Sequence, residues 1–333
     1  MKRNDVIAAA LLALTLLAFA ASLLVGAGDV APAEALRALA GHDTASLAGR
    51  ILWFVRLPRA LAALLAGMAL SAAGLMLQSV LRNPLAAPGV IGVNAGAGLW
   101  VLLGTVLLPG SARLTPYLAF AGACVAAFAV YAIARLTGAS RNTLVLAGVA
   151  VNTLLGAGMD AIVTFVPDAL MSRSAFAIGG FANTTLRQLG FAAPLIGLGL
   201  LIALLTRREA EIMTLGDEVA RSLGVSVERQ RALLLITAAM LSGAAVSFAG
   251  LLSFVGLIAP HIAALLCRRD VRLRLAVTLL LGACLCLICD LAARTLFTPY
   301  ELPVGIVLSF LGAPFFLYLM LNQRKRGRHA SNP

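Results

Sequence analysis

A chain of 333 residues that is 61% hydrophobic and only 12% charged cannot hide its apolar surface from water, so lipid is the solvent for most of it. The formal net charge of +12 would suggest nucleic acid in a soluble protein. Here the basic residues fall in short gaps between apolar runs, the signature of membrane topology, and a nucleic-acid partner is set aside.

Hydrophobic windows give about ten spans, each needing ~20 residues to cross the hydrocarbon core. The first, 6–26, lies in "MKRNDVIAAALLALTLLAFAASLLVGAG". It looks like a secretory signal, but its apolar stretch is too long for one and reads as a retained helix. Residues 27–59 form an external segment with a surface helix over Pro32–Ala40. The second span, 60–80, is ended by Asn83-Pro84, because the residue before a proline is pushed out of the α region. In the third span, 91–109, Gly92 and Gly96 fall one turn apart, which suits close backbone approach. Asn94 between them is a polar amide that close approach does not account for.

The fourth span is 114–136 and the fifth 142–166. In the fifth, Gly148, Asn152, Gly156 and Asp160 recur at every fourth position and so form one stripe. A charge deep in a bilayer costs ~2.5–3.5 kcal/mol on insertion scales, so this face meets protein or water. Two readings stand: contact with a neighbouring helix, or the wall of a hydrated passage.

The sixth span, 191–206, is followed by the longest internal segment, 207–229. The remaining spans are 230–253, 255–267, 272–296 and 303–321. The eighth is short and interrupted by Gly256 and Pro260. Asp290 and Arg294 in the ninth are spaced to pair along one helix face. The five cysteines all lie in or at the ends of apolar runs, so no disulfide framework is implied. Cys286 and Cys289 share a face with Asp290, yet small core residues explain them better than a metal site.

Alternating sides puts Arg37, Arg50, Arg56, Arg59, Arg113, Arg173, Arg187 and Arg294 on one face. The rest of the 26 Lys and Arg, among them Arg82, Arg141, Arg207, Arg268, Arg269, Arg272 and the tail "QRKRGRH", share the other face with both termini. By the positive-inside rule that face is the cytoplasm. "LSAAGLMLQSVLRNPLAAPGVIG" and "LSGAAVSFAGLLSFVGLIAPHIA" echo one another five spans apart, either an inverted repeat of the kind transporters carry or a coincidence of an alanine-rich chain. No His-Glu-x-x-His, Gly-x-Gly-Asp or Gly-x-x-x-x-Gly-Lys occurs, so neither an intramembrane enzyme nor a nucleotide site is read here. The expectation is a single all-α polytopic membrane domain over 1–333, with no cofactor and no metal, whose uphill work would draw on a partner.

Six stretches in order then carry a resemblance: "RLPRALAALLAGMALSAAGLMLQ", "RNPLAAPGVIGVNAGAG", "TLGDEVARSLGV", "SFVGLIAPHIA", "DLAAR" and "ELPVGIVLSFLGAPFFLYL". The chain resembles the FecCD-type permease subunits of ABC importers for iron chelates, haem and cobalamin. The resemblance implies ten spans in the cytoplasmic membrane, a second permease copy, two ATPase subunits and an external substrate-binding protein. It makes Leu215, Gly216, Glu218, Ala220 and Gly224 the ATPase-coupling surface, with Val219 where the family usually has alanine. It makes the stripe with Asn94 the pathway, and Asn83, Leu85, Asn142 and Thr143 the cytoplasmic gate. Arg56, Arg59 and Arg294 would meet carboxylates of the binding protein, for which a planar guanidinium is suited; snorkelling to headgroups is the plainer reading. An iron chelate is the leading cargo, with haem or cobalamin as alternatives and a passive channel as the rival from another class. "AFAIGGF" lacks the tryptophan that many siderophore members carry before this glycine pair.

Overall fold

The computed structural model describes residues 3–26, 30–138, 140–267 and 271–330, all helical or irregular, with no strand among them. The Arg268–Arg269 pair lies outside the described residues, as do the side chains of Arg272 and of the basic tail.

The chain begins with α1 (Arg3–Leu24) and α2 (Pro32–Ala40), the surface helix that the sequence suggests. Next come α3 (Leu47–Ile51), a π-helical turn over Leu52–Arg56, and α4 (Leu57–Leu81). Leu47–Leu81 is therefore one continuous 35-residue helical run, longer at its start than the expected 60–80. It stops at Arg82, which turns left-handed at φ 48° one residue before Asn83-Pro84. A 3₁₀ turn, Pro88–Ile91, leads into α5 (Val93–Leu107), then α6 (Thr115–Leu136) and α7 (Arg141–Phe165). Ser140 caps α7 by accepting from the Thr143 N–H.

α8 (Ala169–Ile178) has no counterpart in the sequence expectations. α9 (Leu186–Leu205) starts at a Thr185–Gln188 capping box. Two short helices, α10 (Arg207–Thr214) and α11 (Asp217–Ser222), fill the internal segment. The chain closes with α12 (Val227–Ala249), α13 (Val255–Leu266), α14 (Val271–Thr295) and α15 (Val304–Ala330).

Among the described residues, eight helices are long and apolar enough, by length and composition, to cross a membrane. The expected third and eighth spans, 91–109 and 255–267, fall on the shorter apolar helices α5 and α13, with 15 and 12 residues, which at 1.5 Å per residue reach about 22 and 18 Å. Both follow an irregular break, and backbone that leaves the helix at membrane depth has to be shielded by protein.

α4 and α12 are the axis of the bundle: 72% and 78% of their most apolar stretches are buried, against 11% in α7. Alanine and glycine let the neighbours come close. A methyl group on Gly67 of α4 would lie 2.3 Å from the Gly282 carbonyl oxygen of α14, and one on Gly74 would lie 1.8 Å from that of Gly256 in α13. The two echoing motifs occupy matching places. Each gives the end of a buried axial helix (α4, α12), a break, and a half-length helix (α5, α13), the arrangement expected of a repeat.

Candidate functional site: two ends of a bundle and the helix between them

At the end of the bundle that carries α2, Arg56, Arg59 and Arg294 are 3%, 5% and 2% exposed. This corrects the expectation of a free basic cluster. Arg59 donates through Nε to both oxygens of the fully buried Asp290, at 3.0 and 3.1 Å, and through Nη1 to Glu301 at 2.6 Å. Arg294 donates to the Ser22 carbonyl at 2.8 Å, and its Nε stands 3.5 Å from Asp290. Arg56 donates to the carbonyls of Leu23 and Leu24 at 3.2 and 2.8 Å. The physical reason is local. α1 ends at Leu24, its last carbonyls lack intrahelical partners, and two guanidinium groups supply donors at the negative end of its dipole. Asp290 supplies the countercharge that lets the arginines be buried at all. The pair suggested by spacing, Asp290 with Arg294, is the looser of its two contacts.

Beside Arg59 and Glu301 opens a cavity of about 610 Å³ walled by α5, α6, α8, α9, the end of α12 and the 179–183 loop, with Thr105, Ser172, Asn183, Gln188 and Ser247 among its polar groups. The glycine pair of "AFAIGGF" closes one side. Gly180 donates to the Ala249 carbonyl at 2.8 Å, and Leu251 donates to that of Phe176 at 2.9 Å, so α8 is stitched to the break after α12.

The stripe on α7 divides in two. Gly148 is buried, and a methyl there would lie 1.8 Å from the Val90 carbonyl oxygen. Asn152 donates to the Gly89 carbonyl at 2.9 Å. Asn94 lies against the same glycine, its amide nitrogen 3.2 Å from where a Gly89 methyl would sit. These three residues pack on the 3₁₀ turn at 88–92: Gly148 makes room for its backbone, and Asn152 adds a second donor to the Gly89 carbonyl, which already accepts from the Gly92 N–H. The other half is open. Gly156 has nothing within 4 Å of an added methyl, and Asp160, with 65% of its side chain exposed, pairs with Arg173 of α8 at 2.5 Å.

At the opposite end, α11 runs from the Gly216 turn (φ 124°) to Gly224 (φ 82°). The Gly224 N–H donates to the Arg221 carbonyl and the Val225 N–H to that of Ala220, at 3.0 and 2.9 Å, a Schellman closure that requires the left-handed glycine. Ala220 is fully buried; Leu215 and Val219 are exposed. Asn83 folds its side chain onto the Leu85 N–H at 2.9 Å. Asn142 is exposed and Thr143 half-buried at the first turn of α7. Asp217 accepts from Arg141 at 2.6 Å and from Arg231 at 2.8 Å. Burial pushes its carboxyl up, but the hydrogen bond from Arg141 and the charge of Arg231 outweigh that and hold it below the usual carboxylate range.

The profile of the FecCD transport family matches residues 14–322. The chain belongs to the FecCD transport family. It is 36% identical over 321 residues to the iron(3+)-hydroxamate import system permease protein FhuG of Bacillus subtilis (strain 168), covering 92% of this chain and 94% of that protein. It is 38% identical over 279 residues to the hemin transport system permease protein HmuU of Yersinia pestis, covering 82% and 83%. A solved metal-chelate type ABC transporter in an inward-facing conformation matches with a TM-score of 0.81 at 27% identity, over 96% of this chain and 99% of that one. This FecCD chain is thus a multi-pass membrane permease of an ABC importer, a transport subunit that works with ATPase and substrate-binding partners.

Sequence reasoning about this FecCD permease missed Asp217, Glu301 and the helix α8. Asp217 was legible as an acid directly after a glycine turn. Nothing local marks Arg141 or Arg231 as its partners, which lie 76 and 14 residues away.

Proposed function

We propose that this permease carries an iron chelate of the siderophore type inward, as a homodimer with two ATPase subunits, and that both its termini are cytoplasmic. The observation that carries the dimer and its passage is α7. Only 11% of its most apolar stretch is buried, yet its open face holds Gly156 and the charged pair Asp160–Arg173. Charge on an unpartnered span face needs protein or water beside it, and a second copy facing α7 across a hydrated passage supplies both. Residues 207–229 dock on the ATPase through exposed Leu215, Glu218 and Val219, while Asn83, Leu85, Asn142 and Thr143 close the cytoplasmic mouth.

Docking of the binding protein at the opposite end narrows to one arginine. Asp290 is sealed, whereas Glu301 has 37% of its side chain exposed, so an incoming carboxylate reaches Arg59 by displacing Glu301. Arg56 and Arg294 hold α1 instead. The cargo reading is supported by the similarity to an iron(3+)-hydroxamate permease along nearly the whole chain. Its test is uptake by the complete complex in proteoliposomes, with ferric hydroxamate, haemin and cobalamin offered in competition. Saturable iron-hydroxamate uptake is expected; uptake of haemin or cobalamin alone would overturn the cargo assignment.

A further inference from the structure

Three arginines converge on the start of α11. Asp217 uses its two carboxylate oxygens for two different helices: Oδ1 accepts from Arg141, the first residue of α7, and Oδ2 from Arg231, near the start of α12. On the neighbouring residue, a methyl built on Gly216 would lie 3.4 Å from the Arg82 guanidinium. Arg82 immediately precedes Asn83, and Arg141 immediately precedes Asn142. The Gly216–Asp217 pair therefore grips Arg141, just before one gate segment, and lies beside Arg82, just before the other.

The geometry points to Asp217 as the clasp that transmits displacement of the ATPase-docking helix to the cytoplasmic gate, a positioning role for one carboxylate. This rests on the proposed docking and gate assignments. α11 has six residues, too short to hold its shape alone, so its place is set by what it grips. Ala220 anchors it by burial, and the clasp gives it direction. Exposed ion pairs contribute little, but this one is bidentate across two helices and its Arg231 side chain is only 7% exposed, where such contacts are stronger. A rigid link also fits the first turn of α7, which Ser140 already fixes at Thr143, so a pull on Arg141 moves Asn142 and Thr143 together.

The test uses the whole complex, permease with ATPase and binding protein, in proteoliposomes. Three quantities are read: ATPase retained by the permease, ATP hydrolysed, and cargo taken up per ATP. Asp217→Asn and Arg141→Gln are each expected to retain the ATPase and to lower cargo per ATP about tenfold, the scale of one lost charged hydrogen bond. The double variant should fall no further, because both changes break the same link, and Asp217→Glu should restore part of the loss. Additive losses, unchanged cargo per ATP, or ATPase lost from Asp217→Asn while the wild-type complex holds it would each overturn the clasp. Failure of the wild-type permease to retain any ATPase would instead sink the docking assignment beneath it. A second measurement needs no variant of Asp217: the distance between spin labels at Ser222 and Val145, in nucleotide-free and ATP-trapped complexes. It should stay constant while the separation of the two Val145 labels in the dimer changes. A Ser222–Val145 distance that changes with nucleotide would overturn the proposal.

Discussion

Asp290→Asn is the most informative single change at the α2 end of the bundle. The substitution keeps the shape and removes the charge that faces two buried guanidinium groups, whose side chains are 6% and 3% exposed. Removing one partner of a buried ion pair typically costs about 3–5 kcal/mol. Arg59 keeps Glu301 and Arg294 keeps its bonds to Ser22, so the low end, about 3 kcal/mol, is the expected size. For a chain of this length roughly 2 °C is lost per kcal/mol, which gives a drop of about 6 °C. The assay is thermal unfolding of purified permease in one detergent at a fixed scan rate, beside Glu301→Gln as control. Glu301 is more than one-third exposed on its side chain, so its pair is screened and its loss should cost about 1 kcal/mol or less. A midpoint within 1–2 °C of wild type for Asp290→Asn would refute the view that buried charge pairing holds α1, α4 and α14 together, and so would a larger loss for Glu301→Gln.

Other outcomes follow from the same geometry. Gly148→Ala should destabilise by about 1–3 kcal/mol, because its methyl meets a backbone oxygen that cannot swing away, while Gly156→Ala in open space should leave the unfolding midpoint unchanged. Gly224→Val must place a branched side chain at φ 82°; it is expected to weaken ATPase retention or cargo per ATP, with membrane insertion intact, as read by co-purification and uptake. In a background without native cysteines, a cysteine at residue 156 should react with a polar thiol reagent in the assembled complex, and Asp160→Asn should insert normally but alter the transport rate. Protection at 156 in both nucleotide-free and nucleotide-bound complexes would point to a dry dimer contact. Asp217 has a depressed pKa, so what it contributes is present above the ordinary carboxylate range and is lost as pH falls through its lowered folded value. Cargo per ATP should therefore show no Asp217-dependent change between pH 6 and 8.

How much of this was legible in the sequence depends on how far apart the partners lie. α2 was readable to its bounds, since a proline at its first turn and a short apolar pattern are local signals. The end of α4 was readable from Asn83-Pro84. The short eighth span was readable from Gly256 and Pro260 and is α13, whereas α5 was read as 91–109 because hydropathy reports composition and does not show the 3₁₀ turn that shortens its start. α8 was hidden because Ser172, Arg173 and Ser174 interrupt its apolar run. The arginines show the limit most clearly. Arg59 and Asp290 are 231 residues apart, and spacing alone suggested Arg294 as the partner of Asp290. The α7 stripe was found by period, but its division into a half that packs on the 88–92 turn and a half that lies open comes from tertiary contacts that no period encodes.

This chain is a transport subunit whose uphill work draws on ATP hydrolysis by its partners. The most direct measurement is radiolabelled ferric-hydroxamate uptake into proteoliposomes that hold the permease and the binding protein, with and without ATPase subunits and ATP. Accumulation above the external concentration is expected only when ATPase and ATP are both present. Equal uptake by the permease alone, rising to the external concentration and no further, would contradict it and make the chain a passive channel.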